Sequence, residues 1–391
     1  MTSAVAAVPI TGFALCNGLG VTVDAVRSGL YEGKSGLGPS PVPCPFPTVV
    51  GAVDCALPEL PAALKPWTTR TARLAHLLIE QLGAPLARLR ERVRPERIAV
   101  ILGTSTVGAD VTEDAFRHYI EKGALPADYD LWRHHTYGAL LHVVTSLIGA
   151  AGPAWVVSTA CTSSAKPLAT AQRLIAAGIV DAAVVGGIDT LCSMTLRGFF
   201  SLDSLAASAC RPFNAKRDGI SIGEGGALLV LERGGDALAL LESVGESSDA
   251  YHISAPHPQG VGARLAMQRA LDQAGVAPTE IDYVNAHGTG TRLNDSAEAL
   301  AISGLLGNDV PVVSTKGYTG HMLGGAGASE AVITLFSLLE GFLPASLGAD
   351  PIDESIALRI PLQREHGRYR RALSNSFAFG GNNVSVLLRA V

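Results

Sequence analysis

Cys161 stands where a β-branched apolar run gives way to an Ala-rich stretch, in WVVSTACTSSAKPLATAQ (Trp155–Gln172). The run Trp155, Val156, Val157 has strand character, and Ala165 to Ala177 has helical composition. A thiol at such a junction lies where unpaired N–H groups and the helix dipole stabilise a thiolate, so its pKa is expected to fall. The backbone N–H groups there can also cradle an oxyanion. The chemistry is that of a covalent nucleophile. The plainer alternative is a small, inert cysteine that fills a tight turn.

Three later segments place more reactive groups on loops just after predicted strands, where open α/β sheets bind their ligands. NAHGTGT brings His287, STKGYTGH brings Lys316 and His321, and NSFAFGGNN ends a strand in a Gly-Gly turn. Taken singly, these are a hydrogen-bonded structural histidine, a solvated lysine and a tight bend. Their order along the chain is what joins them to Cys161.

The elements that must position these groups alternate short apolar runs with helical stretches. The pattern predicts strands at residues 5–15, 98–102, 155–157, 182–187 and 227–232, then again at 238–244, 281–286, 310–314, 371–377 and 384–388. An amphipathic helix is predicted over 68–92, with further helices at 142–151, 261–275, 295–306 and 325–340. This alternation implies parallel sheets covered by helices on both faces. The similar rhythm before and after Arg233-Gly234-Gly235 suggests a duplicated unit, residues 1–233 carrying the thiol and 234–391 carrying both histidines. Apolar residues at 48% against 17% charged give ample core material and exclude a disordered chain. A net charge of −5 without a long basic run argues against nucleic-acid binding. Six cysteines without paired spacing indicate neither a disulfide frame nor a zinc site. No apolar run reaches the ~18 residues of a membrane span. The apolar N-terminus lacks a signal peptide's basic region, so a cytoplasmic protein is expected.

Together these segments resemble the β-ketoacyl-ACP synthases, the type I/II ketosynthases of the thiolase superfamily. TGFALCNGLG, EGKSGL, TACTSS, RPFNAKRDGISIGE, NAHGTGT, STKGYTGHMLGGAGASE and NSFAFGGNN carry the likeness across nearly the whole chain. The resemblance implies a thiolase-like α/β fold, two duplicated halves in five αβαβα layers, usually dimeric. It implies that Cys161 takes an acyl group from a carrier thioester, and that malonyl-ACP then loses CO2 to an enolate held by His287 and His321. Condensation would give 3-oxoacyl-ACP, its oxyanion resting on the N–H groups of Cys161 and Phe379. Lys316 is similar to a family lysine that orients the second histidine. No cofactor or metal is implied beyond the 4'-phosphopantetheine of the carrier. Phe377, Ala378, Phe379 and Gly380 match the family's gating loop, with Ala378 where Gly is usual. Thr289 and Thr291 resemble the residues that bind pantetheine, and Thr106, Phe199 and Ile220 fall near the acyl pocket. Glu298 and Glu330 match acidic positions and are read as structural.

The stretch GFFSLDSLAASACRPF is similar to a specialised branch that includes discrete ketosynthases of aryl polyene and related pathways. Such enzymes often pair with a chain-length-factor subunit, so a heterodimer is expected as readily as a homodimer. A free-standing enzyme of fatty-acid or polyketide synthesis is expected, since 391 residues leave no room for acyltransferase, reductase or carrier regions. Its acidic carrier would need a basic patch, for which Lys65, Arg70 and Arg73 are candidates. A thiolase would need a second reactive cysteine near the C-terminus, a type III enzyme would replace His321 with Asn, and a chain-length factor would lack Cys161. A thioester hydrolase, or a subunit inactive without its partner, are the alternatives in function.

Overall fold

In the computed structural model, which describes residues 5–391, ten strands carry the fold. They are β1 (Val8–Cys16), β2 (Ile98–Gly103), β3 (Ala154–Val157), β4 (Ala182–Asp189) and β5 (Gly225–Glu232) in the first half. In the second half they are β6 (Ala239–Ser248), β7 (Tyr283–Asn285), β8 (Val312–Val313), β9 (Arg371–Phe377) and β10 (Asn382–Ala390). The first four residues of the apolar N-terminal stretch lie outside the described residues.

Pairing repeats from one half to the other. In the first, β3, β2 and β4 run parallel, and β5 and β1 then add antiparallel. In the second, β8, β7 and β9 run parallel, and β10 and β6 add antiparallel. The sheets are therefore mixed, not parallel as the alternation implied. Strand β10 returns antiparallel because only the tight turn Ala378–Gly381 follows β9. A short antiparallel join of Val8–Ile10 to Ala239–Leu241 links the two halves.

Helices α1 (Arg70–Arg92) and α2 (Tyr137–Ile148) cover the outer face of the first sheet. Helices α4 (Val261–Ala274) and α5 (Arg292–Leu306) cover that of the second. Between the sheets lie α3 (Lys166–Ala176) and α6 (Ala326–Glu340), whose side chains join strands of both halves in one apolar cluster. This is the five-layer αβαβα architecture. All of Ala326–Leu338 is buried, which explains an apolar composition around the whole helix. Leu323–Glu340 is long and apolar enough to cross a membrane, and 89% of it is buried here as a core helix.

Two local features set the site. Helix α1, expected as one straight run, kinks at Gly83 (φ 23°, ψ −102°) just before Pro85, whose ring seats against Gly12. At the end of β2, a Cβ on Gly103 would stand 2.2 Å from the Ser163 carbonyl, so only glycine lets the Cys161 turn pack there. The helices Ala109–Lys122 and Ser193–Ser201 fall in stretches where no apolar period was evident.

Candidate active site

Cys161 follows β3 on a turn that begins with Ala160 at φ 51°, a left-handed conformation that costs about 1 kcal/mol or more for a non-glycine residue. Hydrogen bonds from Ser163 N–H (3.1 Å) and Oγ (2.6 Å) to the Ala160 carbonyl hold the turn closed. Ser164 ties it to the second half: its N–H donates to Gly324 O (3.0 Å), and its Oγ accepts from the Ala328 N–H (2.9 Å). The thiol thus depends on contacts from both halves.

His287 sits just past the end of β7. Glu298 of α5 accepts the N–H groups of both His287 and Gly288, each at 2.8 Å, and Asn375 of β9 supports that carboxylate at 3.3 Å. His321 is fixed by its N–H to Ser221 O (2.7 Å). Its Nδ1 accepts from the Leu323 N–H at 3.1 Å, which places the imidazole proton on Nε2. That Nε2 is buried without a partner among the described residues. Lys316, fully buried, ion-pairs with Glu330 and donates to the His287 carbonyl at 2.5 Å. Its Nζ also stands 3.4 Å from His287 Nδ1, so the first imidazole too carries its proton on Nε2.

The Cys161 sulfur and one nitrogen of each histidine lie within 4.8 Å of one another. The two rings meet edge-to-face at 5.2 Å and 85°. A metal ion would need lone pairs where these tautomers put protons, so the trio is arranged to donate hydrogen bonds. Burial, with Lys316 and then His321 adding to it, holds His287 well below the usual histidine range; burial and Lys316 do the same to His321. Both are neutral donors at pH 7. Burial pushes the Cys161 thiol up to about 12, against smaller opposing effects from Lys316 and the backbone. The lowered pKa expected from the sequence is therefore not found. Helix α3 proper begins only at Lys166, and desolvation outweighs its dipole.

The three groups open into one cavity of about 350 Å³. Phe199, Ile220, Thr289, Thr291, Phe377, Ala378 and Phe379 also line it. Among the described residues, neither the Cys161 N–H nor the Phe379 N–H donates to a protein acceptor, so both are free for an anion formed in the cavity. This arrangement can take up an acyl group on sulfur and stabilise negative charge on a neighbouring oxygen.

Residues 6–237 match the family "Beta-ketoacyl synthase, N-terminal domain", and residues 238–350 match its C-terminal domain. The chain belongs to the beta-ketoacyl synthase family. It is 31% identical to 3-oxoacyl-[acyl-carrier-protein] synthase 2 of Vibrio cholerae, with 98% of both chains covered. Among solved structures it is similar to the ketosynthase ApeO in complex with its chain length factor ApeC from Xenorhabdus doucetiae (TM-score 0.93, 38% identity, 98% of each chain covered). It is also similar to the ishigamide ketosynthase/chain length factor (TM-score 0.89, 29% identity, 98% of this chain and 99% of that one). The protein is a condensing enzyme of the acyltransferase class.

Some residues of this ketosynthase lie elsewhere than its sequence suggested. Thr106 does not line the cavity. Its hydroxyl and N–H both reach Asp189 at 2.7 Å, in a buried knot with Thr104, Ser105 and the Gly325 N–H. Lys316 touches the first histidine, not the second, which it affects only through its charge. Ala378 in the gating loop is not among the residues with positive φ; those positions fall on Gly380 (82°) and Gly381 (74°), so alanine is tolerated. Of the three candidate basic residues, Arg70 pairs with Glu224 (2.5 Å) and Arg73 with Glu59 (3.0 Å), while Lys65 is exposed and makes no ion pair among the described residues.

Asp189 was missed. The only sign of it in the sequence is an acid closing the apolar run AAVVGGID, where a strand end must satisfy loop N–H groups.

Proposed function

We propose that the ketosynthase works in two stages on carrier-bound thioesters. Cys161 sulfur attacks the acyl-carrier carbonyl, the oxyanion rests on the N–H groups of Cys161 and Phe379, and the carrier thiol leaves with the proton that the cysteine gives up. Malonyl-carrier then binds in the same cavity and its C–CO2 bond breaks, releasing CO2 and an enolate. The Nε2–H groups of His287 and His321 donate to the enolate oxygen. The nucleophilic carbon attacks the acyl-Cys161 carbonyl, and collapse of the adduct yields 3-oxoacyl-carrier and a Cys161 thiolate, which takes one proton from water to restore the thiol. Lys316 serves by holding His287 and by keeping both imidazoles neutral. Thr289 and Thr291 hydrogen-bond the pantetheine amides in this reading, which their hydroxyls, 2.9 Å apart in the cavity, support. Phe199 and Ile220 flank the acyl group, and Phe377 to Gly380 form the gate. The carrier's 4'-phosphopantetheine is the sole cofactor needed.

The observation that carries this reading is the pair of neutral imidazoles, each with its proton on Nε2, within 4.8 Å of one thiol.

A chain-length-factor-like subunit, as named for the Xenorhabdus relative, is the proposed partner, in polyketide or aryl polyene synthesis. The helix Ala109–Lys122 and the adjacent Leu131–His134 leave Phe116, Ile120 and Trp132 exposed, an apolar face of the kind that obligate partners cover.

The test mixes the protein with malonyl-ACP and a panel of acyl-ACPs and reads acyl-Cys161 and product by mass spectrometry. Condensation abolished in Cys161→Ala supports the reading. Acylation without product, restored by a chain-length-factor subunit, establishes the heterodimer. Hydrolysis without carbon–carbon bond formation, or no acylation with any primer, overturns it.

A further inference from the structure

Two arginines line the active-site cavity, and they differ sharply. Arg217 is 2% exposed and committed, with Nη1 on Asp353 at 2.6 Å and Nε 3.6 Å from Asp295. Arg292 is exposed and makes no ion pair or side-chain hydrogen bond among the described residues. The three carboxylates lining the same cavity do not claim it. Asp218 is held by Arg211 (3.0 Å), and Asp249 accepts from the His257 N–H (3.0 Å) and Asn383 Nδ2 (2.9 Å). Asp203 is exposed and has no basic partner among the described residues. A free guanidinium on the wall of a cavity that holds an acyl-transfer site suits an anion travelling with the substrate, because its planar fork matches phosphate oxygens.

We propose that Arg292 grips the phosphate of the carrier's phosphopantetheine arm, and that the surface around it is where the carrier protein docks. This rests on the condensing reading above. Lys216, exposed and without an ion pair among the described residues, adjoins the cavity-lining Arg217 and Asp218, and supplies a second cation for an acidic partner. Leu293, 64% exposed and itself lining the cavity, and Ile253, 78% exposed beside the cavity-lining Ser254, offer apolar anchors. Arg70 and Arg73, by contrast, are paired with Glu224 and Glu59.

The experiment compares one acyl group on three supports: the carrier protein, free phosphopantetheine, and pantetheine without the phosphate. Transfer to Cys161 is followed by mass spectrometry. The parent is expected to favour phosphopantetheine over pantetheine in KM by about tenfold, the size of one charge-assisted contact. Arg292→Ala should erase that ratio, weaken use of the carrier, and leave pantetheine kinetics as they were. Lys216→Glu should raise KM for the carrier about fivefold or more, in a salt-dependent way, and leave both small thioesters unaffected. An Arg292→Ala enzyme that keeps the phosphate preference, or that loses all three substrates equally, overturns the proposal. A parent that accepts the acyl group from none of the three overturns the condensing reading, and the docking surface with it.

Discussion

Removing Lys316 tests the electrostatics on which the site depends. Lys316 and Glu330 are 0% and 1% exposed, and no other cation pairs with Glu330 among the described residues. Truncating one partner of a buried ion pair leaves the other charge uncompensated, at a cost of about 3–5 kcal/mol. The His287 carbonyl also loses its donor, for about 1 kcal/mol more. Lys316→Ala is therefore expected to lose about 4–6 kcal/mol of stability at pH 8, read by urea unfolding. The loss depends on pH in a defined direction. Burial already raises the Glu330 carboxyl above 4.5, and without the lysine nothing opposes that rise. A carboxyl raised in the folded state holds its proton more tightly there than in the unfolded chain. Its stabilising contribution is full below about pH 4.5 and falls as pH rises through the folded pKa. The variant should thus be less impaired at pH 5 than at pH 8. A Lys316→Met, Glu330→Leu double variant removes both charges and should regain most of the stability. It should not regain condensation, because His287 still lacks its anchor. Equal losses at both pH values, or a double variant as unstable as the single one, would refute the argument.

Four further outcomes follow from the same geometry. Malonyl decarboxylation by the protein should stay flat from pH 8 down through 6.5, since both histidines titrate well below that range; an inflection near 6.5 would show that at least one is not held neutral. The same depressed values mean that stability is retained above pH 6.5 and drains away below it, by up to about 1.4 kcal/mol per pH unit for each histidine. Iodoacetamide labelling of Cys161, followed by peptide mapping, should accelerate with each pH unit from 7 to 10 without a plateau, whereas a plateau by pH 8 would mean a thiolate nucleophile at rest. Glu298, pushed up to about 7 by burial, should take away about 3 kcal/mol between pH 4.5 and 7, opposing the gain from the two histidines, and Glu298→Gln should therefore make stability rise more steeply with pH over this window while orphaning one of the two loop N–H donors. Urea titrations at pH 5 and 7.5 decide it, and an unchanged slope in the Gln variant counts against that role for Glu298.

Much of this was readable in the residues, and what was not had physical causes. The strands and helices α3 to α6 showed themselves because burial leaves a pattern, periodic on the one-sided outer helices α4 and α5 and continuous in the wholly buried α6. The direction of pairing did not, because an apolar strand reads alike whether its neighbour runs with it or against it. Cys161, His287, Lys316 and His321 stood out by type and by their place after strands. Their partners were harder to see. Lys316 is five positions from His321 in sequence yet touches His287, a contact made by the packing of β7 against the loop after β8. Thr106 looked like a pocket residue by position, but a hydroxyl one strand from Asp189 finds the carboxylate first. Arg70 and Arg73 looked like a surface patch because a helix start is often solvated, and only the fold shows that Glu224 and Glu59 reach them.

The raised Cys161 pKa looks like an obstacle to nucleophilic chemistry, and the balance of protons shows why it need not be one. The first stage exchanges one thioester for another, so the proton that leaves Cys161 is the one the carrier thiol must gain. No net charge has to persist on sulfur at rest. A site open enough to hold a free thiolate would also admit water to the acyl-Cys161 intermediate, and hydrolysis would compete with condensation. Burying the thiol at 9% exposure raises its pKa and excludes that water by the same desolvation. The imidazoles are subject to the same field. Desolvation that makes a thiolate costly also makes an imidazolium costly, and a neutral imidazole is the donor the enolate requires. Lys316 is then the cation held beside the two histidines, and its pairing with Glu330 lets it act on both while remaining out of the reaction.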